Sequence, residues 1–264
     1  MVLLDLLSDY SAMTLLMLSL FAFVAGFIDA SVGGGGLIQL PALLIQFHDT
    51  PVPTLFGTNK IAALSGTSVA AYQYSKRIRY NYLLLFIISL FAFSASFLGA
   101  RLVSAVNVNA LKPIILAILV IIAIYTFFKK DLGSVQTKKL PMGRQLVYGS
   151  LIGGIVGFYD GFFGPGTGSF FVLGFVLILG FEFVTASAYA KVVNCMTNVS
   201  ALIVFVRQGN FLLMVAILMS VCNILGNVAG SRIALKKGNS YIRILFLVVV
   251  TIMIARYGYD IFYR

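Results

Sequence analysis

Two aspartates and two lysines stand where an apolar chain can least accommodate them. Asp29 closes Gly26-Phe27-Ile28-Asp29 and precedes the run Gly33-Gly34-Gly35-Gly36. Asp160 closes Gly157-Phe158-Tyr159-Asp160 and precedes Gly164-Pro165-Gly166-Thr167-Gly168. Lys60 and Lys191 lie inside later apolar stretches, in Gly57-Thr58-Asn59-Lys60 and Ala190-Lys191-Val192-Val193-Asn194. Ionisable side chains at bilayer depth are costly and face a partner or water. A buried lysine therefore asks for an acidic partner or an anionic substrate, and two of them favour a small anion over a cation. Snorkelling to the interface is the plainer alternative. Three roles are open for Asp29 and Asp160: reversible protonation that couples transport to protons, acceptance of N–H bonds from the broken loop, or an ion pair with Lys60 or Lys191.

Glycine lets a chain leave helical geometry and lets its backbone approach a ligand closely. In hydrocarbon such a break is tolerated only where it is buried or lines a wet cavity. A half-helix starting after Gly36 or Gly168 would turn its N–H groups and positive dipole end toward that cavity, which suits an anion. Close helix packing through small residues is the competing explanation. The candidate cradle is thus Gly33, Gly34, Gly35 and Gly36 with Gly164, Gly166, Thr167 and Gly168. Gln39 and Ser169 follow the breaks as contacts, and Asn59, Asn194 and Asn198 are neutral ligands. Those asparagines, with Thr67 and Thr197, serve equally well as interhelical hydrogen-bonding groups. No strand–turn–helix unit surrounds the glycines, which excludes a dinucleotide fingerprint. His48, the sole histidine, reads as a solvated loop residue, and Arg101 and Arg232 as interfacial anchors.

The elements that must position these residues are apolar runs. Ten can be drawn, at 11–32, 36–47, 56–75, 82–103, 112–128, 145–163, 166–181, 185–206, 211–231 and 242–262. Most reach the roughly 20 residues a spanning helix needs. The segments 36–47 and 166–181 are short, follow the Gly-rich breaks, and read as half-helices or re-entrant elements. Pro41, Pro51, Pro53 and Pro165 reinforce the interruption.

An offset of 131 aligns the two halves without a gap, pairing Gly26 with Gly157, Asp29 with Asp160, Lys60 with Lys191, Gly99 with Gly230 and Arg101 with Arg232. This predicts an all-α polytopic bundle of two five-segment repeats. Residues 1–130 form the first half (repeat core 26–130), 131–144 a basic cytoplasmic linker, and 145–264 the second half (repeat core 157–264). Lys76, Arg77 and Arg79 mark one loop as cytoplasmic, whereas its partner at 207–210 holds only Arg207. Conversely, 232–243 carries four cations against two in 101–112. The positive-inside rule then makes the repeats inverted, with both termini outside. Inverted repeats with discontinuous helices are a layout of secondary transporters, with substrate near the midplane.

Composition agrees. The chain of 264 residues is 60% hydrophobic and 10% charged, whereas a soluble domain is about a quarter charged. Continuous runs such as Leu83–Leu98 exclude a β-barrel, whose segments alternate in polarity. The net charge of +11 lies in short clusters between apolar runs, which is loop bias, and excludes nucleic acid as a partner. Asp5 and Asp9, with no cation before the first apolar run, argue that this run is a membrane helix and not a cleaved leader. Cys195 and Cys222 read as small buried hydrophobes, with no disulfide, metal or cofactor implied. The expected partners are a small anion and the lipid bilayer, and a homodimer is left open.

At these residues the sequence resembles the sulfite exporter TauE/SafE family, also called the 4-toluene sulfonate uptake permease group. The matching stretches are Gly26-Phe27-Ile28-Asp29-Ala30 through Gly33-Gly34-Gly35-Gly36-Leu37-Ile38 with Pro41, and Gly57-Thr58-Asn59-Lys60. In the second half they are Gly157 through Gly168, and Ala190-Lys191 with Asn194 and Asn198. The resemblance implies an integral plasma-membrane transporter of sulfite, sulfoacetate or other organosulfonates. The expectation is therefore a secondary transporter of a small sulfur-containing anion, working by alternating access with proton coupling. The alternatives are an anion channel or a transporter of a different small carboxylate or oxyanion. An intramembrane enzyme is disfavoured, because no nucleophile–base or metal-ligand set is visible.

Overall fold

The computed structural model describes residues 11–47, 49–103 and 140–262, all helix or connecting loop. His48, the expected segment 112–128, most of the linker 131–144, and Asp5 and Asp9 lie outside the described residues. The first helix, α1 (Ala12–Val32), opens on Ser11, whose hydroxyl accepts the Thr14 N–H at 3.1 Å. It stops at Gly33, where φ of 73° and ψ of 159° leave the helical region. After this break come α2 (Gly36–Gln46), α3 (Val52–Ser75) and α4 (Tyr82–Leu102). The second half follows with α5 (Met142–Phe162), α6 (Thr167–Gly174, continued by a π-helical turn at Phe175–Leu179) and α7 (Phe183–Arg207). Last is α8 (Leu213–Phe262), which bends at Gly238.

Four stretches, Ala12–Val32, Tyr82–Leu102, Phe183–Arg207 and Leu213–Gly238, are long and apolar enough to cross a membrane. At 11 residues α2 spans about 16 Å, roughly half a bilayer core. Large apolar side chains are exposed at helical spacing: Leu83, Phe86 and Leu90 on α4, Val147, Leu151 and Ile155 on α5, and Ile217, Val221 and Leu225 on α8. Lys60, Lys191, Asp29 and Asp160 are buried instead. Apolar side chains outside and charges inside are what a lipid solvent selects. This is a multi-pass membrane protein.

Two boundaries differ from the sequence expectation. The loop drawn at 232–243 is helix to Lys237, because that stretch holds no helix breaker until Gly238, where φ is 71° and ψ −158°. Pro41 does not interrupt the chain but lies within α2, as the sixth of its 11 residues, where the missing N–H sacrifices a single helical bond.

Contacts repeat between the halves at the same offset of 131. The Asn81 N–H donates to the Tyr189 hydroxyl at 2.7 Å, and the Leu212 N–H donates to Thr58 Oγ1 at 2.9 Å. The loop after α3 therefore meets the start of α7, and the loop after α7 meets the start of α3. These two helices run antiparallel through the centre. Gly99 lies against the Phe158 carbonyl and Gly230 against the Phe27 carbonyl, a Cβ at either being 2.2 Å from that oxygen. Thus α4 packs on α5 and α8 on α1, each across the midpoint of the chain.

Candidate functional site

The two breaks meet each other. A Cβ on Gly33 would sit 2.1 Å from the Gly168 carbonyl carbon, so neither backbone leaves room for a side chain. Positive φ at Gly33, Gly34, Gly164 and Gly166 is a second reason for glycine there. The Ser169 hydroxyl, in the first turn of α6, donates to the Gly33 carbonyl at 2.7 Å and to the Val32 carbonyl at 3.1 Å. This satisfies carbonyls that the end of α1 leaves without helical partners. On the other break, the Tyr159 hydroxyl donates to the Pro165 carbonyl at 2.6 Å and Thr167 to the Gly164 carbonyl at 2.6 Å.

The four charges pair crosswise. Lys60 Nζ lies 2.7 Å from Asp160 Oδ2, and Lys191 Nζ 3.2 Å from Asp29 Oδ2. Each lysine reaches the aspartate of the other half. Lys191 also donates to the Asp29 backbone carbonyl near the C-terminal end of α1, where a cation is electrostatically favoured. Asp29 Oδ2 accepts a further bond from Thr67 Oγ1 at 2.9 Å. The four formal charges sum to zero. Of the sequence alternatives, the ion pair is what the geometry contains for both aspartates, and neither lysine snorkels: their relative exposures are 4% and 0%.

Between the breaks lies a small cavity of about 30 Å³. Of the residues singled out in the sequence it is lined by Asp29, Gly34, Gly35, Gly36, Gln39, Asn59, Lys60, Thr67, Asp160, Gly164, Gly166, Thr167, Gly168, Asn194 and Asn198. Gly33, Ser169 and Lys191 stand one layer back, holding the breaks together. Ala63 and Asn223 complete the wall. Asn223 escaped the sequence reading because its partner at the offset of 131 is Ala92, so a search for matched pairs passes over it. An asparagine within the apolar run 211–231 was the signal available. Among the described residues no group of three or more His, Cys, Asp or Glu is placed to hold a metal ion.

Broken helices that meet head to head inside an apolar bundle, around a polar cavity with paired charges, define a membrane-transport architecture. The chain belongs to the family described as Sulfite exporter TauE/SafE, which it matches over residues 18–257. It is 39% identical over 249 residues to a probable membrane transporter protein of Sinorhizobium sp, covering 94% of each chain. A probable membrane transporter protein of Haemophilus influenzae is 36% identical, over 90% of this chain and 92% of its own. The probable membrane transporter protein YfcA of Escherichia coli K12 is 35% identical, over 90% and 87% respectively. These relatives are named as transporters, not as enzymes. No solved structure matches the chain.

Proposed function

We propose that the chain is a secondary transporter that carries a small sulfur-containing oxyanion, sulfite being the best fit, across the plasma membrane by alternating access coupled to protons. The observation that carries this is the cavity wall. It combines the Lys60 cation, five neutral amide side chains (Gln39, Asn59, Asn194, Asn198 and Asn223), the lysine-paired carboxylates of Asp29 and Asp160, and the glycine-rich starts of α2 and α6. Backbone donors at helix starts and a single cation are anion chemistry.

Charge balance supports proton coupling. The two ion pairs leave the centre neutral, so an entering anion would add net negative charge to a buried site, at a high desolvation cost. Protonating Asp160 offsets one negative charge, the whole of that carried by hydrogensulfite, and frees Lys60 to face the anion. The family's description as a sulfite exporter agrees with sulfite as cargo. The antiparallel run of α3 and α7, and the loop charges, support an inverted duplication with two re-entrant elements and outside termini.

In proteoliposomes, sulfite should show saturable counterflow and accumulate along an imposed proton gradient. Asp160→Asn should exchange sulfite yet no longer accumulate it. Single-channel currents, or accumulation by Asp160→Asn equal to wild type, would refute this reading.

A further inference from the structure

The cavity has one wall with no counterpart in the other half, and its hydrogen bonds run in one direction. Asn227 Nδ2 donates to the backbone carbonyl of Asn223 at 3.0 Å, which sets how the Asn227 amide is turned. The same nitrogen donates to Asn223 Oδ1 at 2.7 Å. Asn223 Nδ2 faces the Ala22 carbonyl at 3.3 Å. A carbonyl only accepts, so the Asn223 amide is also fixed. That nitrogen donates in turn to Gln39 Oε1 at 2.7 Å. Gln39 must therefore present its oxygen to Asn223 and its Nε2 group elsewhere. Nε2 is buried and has no hydrogen-bond partner among the described residues, and Gln39, 1% exposed, lines the cavity.

We infer that Asn227 and Asn223 are positioning residues that hold Gln39 as an obligate amide donor to the transported anion. This rests on the reading of the cavity as an anion site. A buried N–H group without a partner costs free energy that an arriving acceptor recovers. A free glutamine amide could turn its oxygen toward the anion and repel it, whereas the relay forbids that turn. Chain packing corroborates the relay. A Cβ on Gly66 would lie 1.9 Å from Asn223 Oδ1 and 2.3 Å from Asn227 Nδ2. At the offset of 131, Gly66 corresponds to Thr197, Gln39 to Phe170, Asn223 to Ala92 and Asn227 to Ser96. One half has made room for an amide chain, and the other has filled the equivalent space with apolar and hydroxyl groups. The relay makes an otherwise matched cavity one-sided.

The test is isothermal titration of sulfite into the purified full-length protein, with thermal unfolding of each variant in parallel. Gln39→Ala and Asn223→Ala should each weaken sulfite binding about 10- to 100-fold, the range for a hydrogen bond to a charged group. Because both act through one N–H, the double variant should be no weaker than Gln39→Ala. Gln39→Glu keeps the acceptor that Asn223 needs but replaces the free N–H group with an acceptor oxygen, so it should lose sulfite binding while still folding, with an unfolding temperature lowered by the added buried charge. Wild-type affinity in Gln39→Glu, or multiplying losses in the double variant, overturns the relay alone. A wild-type protein that binds no small oxyanion overturns the anion site and the relay together.

Discussion

Lys60 and Lys191 are the same residue at corresponding positions, yet their surroundings give them different work. Lys60 borders the cavity and pairs with only the Asp160 carboxylate among the described residues, so one protonation releases it. Lys191 grips both the Asp29 carboxylate and the Asp29 carbonyl, outside the cavity lining. Removing one member of a buried ion pair strands the other charge and costs about 3–5 kcal/mol, whereas replacing both with neutral groups is often harmless. Lys191→Met should therefore destabilise the protein by about that much, and Lys191→Met/Asp29→Asn should regain most of it with sulfite binding kept. Lys60→Met/Asp160→Asn should be comparably stable but should not bind sulfite. Denaturant unfolding and titration on the same samples check both halves. Equal sulfite affinities in the two double variants would remove the distinction between the lysines.

At the level of elements, the break after α1 is where backbone geometry decides the outcome. Gly33 has φ of 73° and faces the Gly168 backbone at a distance that no Cβ tolerates. Left-handed geometry costs a non-glycine residue about 1–2 kcal/mol, and overpacking a tight contact adds about 1–3 kcal/mol. Gly33→Ala should lower stability by about 2–5 kcal/mol. Gly143→Ala, at the start of α5 with nothing within 4 Å of its Cβ, should be neutral or slightly stabilising. A Gly33→Ala protein as stable as wild type would show that the two breaks do not touch. Ser169 belongs to this scale too: its hydroxyl ties the carbonyls of Val32 and Gly33, so its position after the break serves the joint between α1 and α6.

For the whole molecule, the antiparallel contact of α3 and α7 places the loops that follow them at opposite ends of the bundle. Arg77→Cys and Gln208→Cys should accordingly react with a membrane-impermeant maleimide from opposite sides of oriented vesicles. Labelling of both from one side would contradict that arrangement. Much of this was readable in the chain. The offset of 131, the Gly-rich breaks and the buried Asp and Lys residues all follow from local rules: apolar length, helix breaking and the cost of charge in hydrocarbon. The membrane class and fifteen of the cavity residues could be named from the sequence. Which lysine meets which aspartate did not. Lys60 to Asp160 and Lys191 to Asp29 are pairings between residues 100 and 162 positions apart, and only the packing of one half into the other selects them over Lys60 with Asp29. Asn223 was hidden for a related reason. Its role depends on α8 lying against both α1 and α3, where Gly26 and Gly66 leave space for an amide. Spacing along a chain reports what one element can present to its surroundings. Which side chain it meets there is decided by the distances and excluded volumes of the assembled bundle.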